Sequence, residues 1–247
     1  MTYFSPEVAP WFSEGTNGIG ILFVHGFTGS PASMRPWAEY FAERGYTVRM
    51  PLLPGHGTSP EEMNETTWDQ WYAGAEQPYL ELVEKCEKVF VCALSMGGAL
   101  TLRLAALHEP VGIVLVNPLI HIKGINRLLI PIVSKLVGMR PAVGNDIKKP
   151  VTNEYAYDRT PLKAVASLLK LLADVRSRTN QVKVPLLLLH SVDDHLVAPS
   201  NSEWIFANVS SPVKEEILLK DSYHVATLDY DAPIIFEQSL RFIEGLS

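Results

Sequence analysis

The sequence predicts an α/β protein built on one mostly parallel sheet with helices on both faces. Three observations carry this reading. Short runs of aliphatic and β-branched residues recur along the chain. Stretches of helical periodicity separate them. The runs are apolar at nearly every residue instead of alternating with polar ones. A strand that is apolar throughout must be covered on both faces, and crossover helices provide that cover.

The elements follow in order. Ile19-Gly20-Ile21-Leu22-Phe23-Val24 is a strand that ends at His25-Gly26. Residues 37–44 form a helix that stops at Gly45, and residues 46–50 form the next strand. Trp68 to Lys85 is helical and leads to Val89-Phe90-Val91-Cys92, an apolar strand. A helical run over 98–105 follows, then a strand over 111–116. Two further strands cover 185–190 and 214–219, and a last helix runs over 233–244. Residues 119–181 break the alternation. Ile125, Leu128, Leu129, Ile132, Val133, Leu136 and Val137 stand at helical spacing, and 162–175 is a second amphipathic helix. Residues 1–118 with 182–247 therefore read as the core, and 119–181 as a small helical cap inserted over a pocket. The plainer alternative is a pair of helices packed on the sheet.

Composition bounds the class. The chain has 247 residues with 47% hydrophobic content, which suits a single domain with a substantial core. The net charge is −6 and basic runs are absent, so nucleic acid is not an expected partner. Cys86 and Cys92 lie too close together to staple a fold and read as free thiols, as in a reducing compartment. The N-terminal residues lack a basic start and an apolar stretch, so a secretory leader is not expected. The longest apolar stretch, 111–122, is interrupted by Asn117-Pro118, so stable membrane insertion is not expected either. A cytoplasmic protein is the expectation. The oligomeric state is not legible.

Chemistry gathers at the predicted strand ends. In parallel sheets the loops beyond the carboxyl ends of strands carry function. Those ends deliver His25, Ser95, Asn117, Asp193-Asp194 and the loop with His224. Ala93-Leu94-Ser95-Met96-Gly97 joins a strand to a helix through a tight turn with serine at its apex, the context of a nucleophile elbow. Small residues are needed two places before and after the serine. Glycine is usual at both, and Ala93 is a departure. Acyl transfer requires a base for the serine and an acid to orient that base. His190-Ser191-Val192-Asp193-Asp194-His195-Leu196-Val197 offers two carboxylates. Asp194, three residues before Val197, is favoured as the acid, which leaves Asp193 a turn residue. His224 lies in the loop after the next strand and is favoured as the base. His195 is the rival, but adjacency to Asp194 prevents its ring from turning onto that carboxylate. His108 and His190 read as structural, and His121 as a loop residue. An oxyanion needs two preorganised N–H donors. Met96, at a helix N-terminus, offers one, and Phe27 in His25-Gly26-Phe27-Thr28-Gly29 offers the other. The Phe27 ring also serves as a candidate wall of the substrate pocket, with Ile125 and Leu129 from the cap. His56, in Pro54-Gly55-His56-Gly57, lacks partners at metal-ligand spacing. It reads as a hydrogen-bonded loop histidine. A phosphate loop, zinc pattern and dinucleotide fingerprint are all missing from the sequence, so neither a cofactor nor a metal is implied.

Taken together, Val24-His25-Gly26-Phe27-Thr28-Gly29, Pro54-Gly55-His56-Gly57, Leu94-Ser95-Met96-Gly97-Gly98, Leu171-Leu172-Ala173-Asp174-Val175-Arg176 and His224-Val225-Ala226-Thr227-Leu228-Asp229 resemble the α/β-hydrolases. More closely, the chain resembles the small bacterial carboxylesterases related to monoacylglycerol lipases. The resemblance spans nearly the whole chain and is weakest over the cap. It implies an α/β-hydrolase fold and a cofactor-free serine hydrolase of short- to medium-chain esters, some members preferring monoacylglycerols. By resemblance Ser95 is the nucleophile, Asp194 the acid, His224 the base, and Phe27 and Met96 the oxyanion hole. A thioesterase, an acyltransferase and a C–C bond hydrolase use the same triad and remain alternatives. So does a ligand-binding protein on a catalytically silent scaffold.

Overall fold

The computed structural model describes residues 3–122, 138–142, 144–150 and 152–247. The helix expected over 125–137 lies outside them, with Ile125 and Leu129. Seven strands form the main sheet: β1 (Trp11–Ser13), β2 (Ile19–Val24), β3 (Thr47–Met50), β4 (Lys88–Leu94), β5 (Gly112–Val116), β8 (Leu186–Ser191) and β9 (Lys214–Leu219). Their order is β1-β3-β2-β4-β5-β8-β9. Every pairing is parallel except that of β1 with β3. Two short strands, β6 (Met139–Pro141) and β7 (Arg159–Pro161), pair antiparallel outside this sheet.

The helices are α1 (Arg35–Ala42), α2 (Pro60–Asn64), α3 (Trp68–Lys85), α4 (Met96–His108), α5 (Leu162–Arg178), α6 (Ser200–Asn208) and α7 (Ala232–Glu244). The strands explain why the sequence looked apolar throughout. On β4, Val89, Val91 and Ala93 enter one core cluster with α3, α4 and α5. Phe90, Cys92 and Leu94 enter the opposite cluster with α1 and α7. β5 and β8 divide in the same way, so both faces of each strand are buried. The outer strand β9 carries Lys214, Glu215 and Glu216 and keeps only Leu219 fully buried. Charge on an exposed edge discourages pairing with another chain.

Some elements depart from the sequence reading. α1 begins at Arg35, two residues early, because Pro36 fits the first helical turn. β1, α2 and α6 were not anticipated. β1 is three residues long and only half-buried, and α2 has five residues. Helix α5 buries Leu168, Leu171, Leu172 and Val175 in the cluster shared with α4, so this part of the inserted segment belongs to the core packing.

The topology places the site. The chain passes from β2 to β3 on one side, then returns to β4 on the other side of β2. The loops after β2 and β4 therefore separate at their carboxyl ends and leave a crevice between them. At that crevice Gly97 packs against the β2 end. A Cβ there would lie 2.0 Å from the Val24 carbonyl oxygen and 2.8 Å from that of His25. Replacing Gly97 with alanine should push β4 and β2 apart and destabilise the fold by about 1–3 kcal/mol. Equilibrium urea unfolding checks this; a midpoint equal to wild type would mean that the two strand ends are not held this closely.

Candidate active site

Ser95 sits between β4 and α4 with φ 56° and ψ −120°, a backbone conformation that L-residues rarely adopt. Three hydrogen bonds hold it there. Its N–H donates to the Val116 carbonyl at 3.1 Å, and its carbonyl accepts from the N–H groups of Gly98 at 2.9 Å and Leu119 at 3.0 Å. Gly26 approaches from the β2 loop, where an added Cβ would meet the Ser95 Cβ at 3.1 Å. The departure at Ala93 is accommodated as an ordinary buried strand residue paired with Val24 and Leu115.

The loops after β8 and β9 meet beside this turn. His224 Nδ1 lies 2.8 Å from Asp194 Oδ2, with the two side chains 8% and 1% exposed. The other Asp194 oxygen accepts the N–H groups of Leu196 at 2.8 Å and Val197 at 2.7 Å, which sets the carboxylate's orientation. Asp193 is different: its side chain is exposed and its nearest charged partner is His195, at 3.6 Å. His195 turns away from Asp194 and pairs with Asp146 Oδ1 at 2.8 Å. Asn117, at a positive φ of 45° after β5, links the two loops. Its amide donates to the His224 carbonyl at 2.7 Å, and its oxygen accepts the Ser191 N–H at 2.7 Å.

The loop after β2 completes the crevice. Buried His25 donates from Nδ1 to the Gly26 carbonyl at 2.9 Å and accepts the Leu53 N–H on Nε2 at 3.1 Å. Burial, reinforced by neighbouring His56, pushes its pKa down to about 3, so the ring is neutral and its tautomer is set. His56 is likewise neutral, pushed down to about 4 by burial, and bonds the Pro54 carbonyl at 3.1 Å. Phe27 is half-buried, its ring edge-on to Trp71 at 5.8 Å. Among the described residues, neither the Phe27 nor the Met96 N–H has a backbone acceptor outside the helices and strands.

The chain as a whole is similar to known proteins. The family model Hydrolase_4, described as serine aminopeptidase, S33, matches residues 19–231. The chain belongs to this family. The S33 assignment is accompanied by a strong likeness to a thermostable monoacylglycerol lipase of Bacillus sp. (strain H-257). The two are 44% identical over 94% of this chain and 93% of that one. A carboxylesterase of Bacillus subtilis (strain 168) is 29% identical over 92% of both chains. The solved structure of a metagenome-derived lipolytic enzyme, from work on LipS and LipT, superposes with a TM-score of 0.93 at 40% identity, covering 97% of this chain and 98% of the other. The fold is that of the α/β-hydrolases.

In this S33 member a cavity of about 430 Å³ opens over Ser95 and His224. Phe27 lines it together with Leu119, Ile122, Val165 and Leu168. Ile125 and Leu129 lie outside the described residues. Glu154 lines the cavity too, and sequence reasoning missed it. It is 8% exposed, and burial pushes its carboxyl above the usual range, against the pull of its hydrogen bond from the Asn145 N–H at 2.6 Å. A polar stretch with glutamate in it carries no periodic or motif signal, so nothing in the sequence marked this residue. No described helix is long and apolar enough to cross a membrane.

Electrostatics at His224 runs in two directions. Burial alone disfavours the imidazolium. The hydrogen bond and negative charge of Asp194, helped by Glu154 and Asp146, outweigh burial and raise the His224 pKa above its ordinary 6.5. The imidazolium therefore persists to a higher pH than in a free histidine. An NMR titration of the His224 ring should give a midpoint above 6.5 in the wild type, and Asp194→Asn should lower it. A wild-type midpoint at or below the ordinary value would mean that the Asp194 contact is not formed in solution.

Proposed function

We propose that the protein is a serine esterase acting on short- to medium-chain carboxylic esters, monoacylglycerols among them, through an acyl-enzyme on Ser95. One observation carries the reading: a serine held at φ 56° and a histidine bonded to a buried carboxylate open onto the same apolar cavity. In this reading Ser95 Oγ attacks the ester carbonyl as its proton passes to His224 Nε2. Asp194 holds Nδ1–H and so keeps Nε2 free to accept. The N–H groups of Phe27 and Met96 stabilise the oxyanion, the second aided by the dipole of α4. Collapse expels the alcohol, which takes the proton back from His224. Water then attacks the acyl-enzyme by the same route. Neither a metal nor a cofactor is needed. Residues 119–181 act as the cap of the pocket, and the free thiols Cys86 and Cys92 fit a cytoplasmic protein.

These relatives support an ester over a peptide bond: although the family description names an aminopeptidase, the Bacillus relatives described above are named a lipase and a carboxylesterase. The cavity supports the same choice. Its described wall is mostly apolar, which suits an acyl chain, and Glu154 is the acidic side chain among the described lining residues. A carboxylate in that place is an acceptor for the hydroxyls of a polyhydric leaving alcohol.

Hydrolysis of a p-nitrophenyl ester series from acetyl to palmitoyl tests the first claim. Turnover with an optimum at or below medium length is expected, and Ser95→Ala should lose about a thousandfold or more. A wild type that turns over thioesters but none of the oxyesters would reassign the activity. Glu154→Gln tests the second claim. Activity on a monoacylglycerol should fall about tenfold more than on the ethyl ester of the same acid, the scale of one charged hydrogen bond. Equal losses on both would remove Glu154 from alcohol recognition.

A further inference from the structure

The segment just before Glu154 touches both loops that carry the acid and the base. Asp146 lies on it, outside every strand and helix, with its side chain only 9% exposed. One oxygen accepts the backbone N–H of His224 at 3.2 Å and that of His195 at 3.3 Å. The other meets His195 Nδ1 at 2.8 Å. The Asp146 carbonyl accepts the Val225 N–H at 3.1 Å. A single residue of the insertion thus bonds the backbone next to Asp194 and the backbone of His224 itself.

A second carboxylate fastens the same segment. Buried Asp229 accepts the N–H groups of Lys148 at 2.7 Å and Lys149 at 2.9 Å, and also that of Tyr223 at 3.0 Å. The Tyr223 ring packs edge-on against His195 at 4.4 Å. Asp194 is rigidly held by the turn it caps, whereas His224 sits in a loop of irregular backbone. Its distance to Asp194 depends on how the two loops are set against each other.

We propose that Asp146 is a positioning residue that fixes the base loop on the acid loop and so maintains the His224–Asp194 hydrogen bond. The proposal rests on the esterase reading for its effect on rate. Asp146 does not touch the reacting atoms. It acts through the backbone of His224 and, with Asp194 and Glu154, is one of the carboxylates whose charge faces the imidazole. Further charged groups around the brace are His195, Asp193, Asp229 and Lys148 with its partner Asp221.

The test compares wild type, Asp146→Ala and Asp146→Asn, with the folded fraction of each taken from near-UV circular dichroism. On one p-nitrophenyl ester, Asp146→Ala should lower kcat per folded molecule by about 10- to 100-fold, the scale of a misplaced catalytic group, with KM changed far less. Asp146→Asn should recover most of that loss, because its amide oxygen still accepts the two backbone N–H groups. The His224 ring should titrate at lower pH in both variants, one facing carboxylate having been removed, and lower still in Asp146→Ala, where the contact with Asp194 loosens as well. A folded Asp146→Ala with kcat within about twofold of wild type overturns the proposal, as does a loss residing wholly in KM. Should Asp146→Ala fail to fold, Asp146→Ser, whose side chain is too short to hold both N–H groups, takes its place, and a kcat within about twofold of wild type overturns the proposal. The titration needs no substrate, so the difference between the Asp146→Ala and Asp146→Asn midpoints reads the brace even if the wild type hydrolyses no ester and the esterase reading itself fails; equal midpoints overturn the proposal.

Discussion

A serine at φ 56° cannot persist on local preference alone. Conformations of this kind cost on the order of 1–3 kcal/mol and survive where their surroundings over-determine them. Here the surroundings are the two strands on either side of β4. Val116 on β5 accepts the Ser95 N–H, Leu119 beyond β5 donates to its carbonyl, and the β2 end packs on Gly97. The strain is thus maintained by the parallel sheet, and the sheet by its two apolar faces. Every other part of the site is referred to this turn. Gly26 can approach Ser95 only because β2 and β4 are neighbours, and Met96 presents its N–H only because α4 starts directly after the turn.

The rest of the site consists of irregular backbone, and irregular backbone near a buried centre must satisfy its own polar groups. Side chains do this here. Asn117 bonds Ser191 and His224, His25 bonds Leu53, and Tyr157 bonds both Gly55 and Thr58. The neutral state of His25 follows from the same requirement. A protonated ring would have no acceptor for its second N–H, since Nε2 is already committed to the Leu53 amide. Polar networks of this kind are costly when incomplete and rigid when complete, which suits loops that must present groups at fixed distances.

The sheet and the triad-like constellation were legible because both are written in short segments. Ser95 follows an apolar strand and opens a helix. Asp194 sits three residues before Val197, and the structure shows the reason for that spacing: its carboxylate accepts the Val197 N–H. Asp146 and Glu154 were not legible. Asp146 makes its contacts across 49 and 78 positions of sequence, and Glu154 pairs locally with Asn145 while facing a cavity formed by distant elements. No period or motif encodes such contacts. β1 and α2 escaped for a different reason. Each is too short for a pattern, and tertiary pairing with β3 decides the first.

The described residues between β5 and β8 therefore do two things that a simple lid would not. The α5 residues Leu171 and Leu172 are part of the main core, so this end is fastened by the hydrophobic effect. Asp146 and Tyr157 are fastened by hydrogen bonds to three loops at the carboxyl edge of the sheet: Asp146 to the loops after β8 and β9, and the Tyr157 N–H to the Thr28 carbonyl beside Phe27 at 3.1 Å. Substitutions along this stretch can alter the pocket wall only by keeping those bonds. The same stretch offers positions whose side chains face the cavity while local hydrogen bonds pin their backbones. Glu154 is such a position: its N–H donates to the Asn145 side chain and its carboxylate faces the crevice.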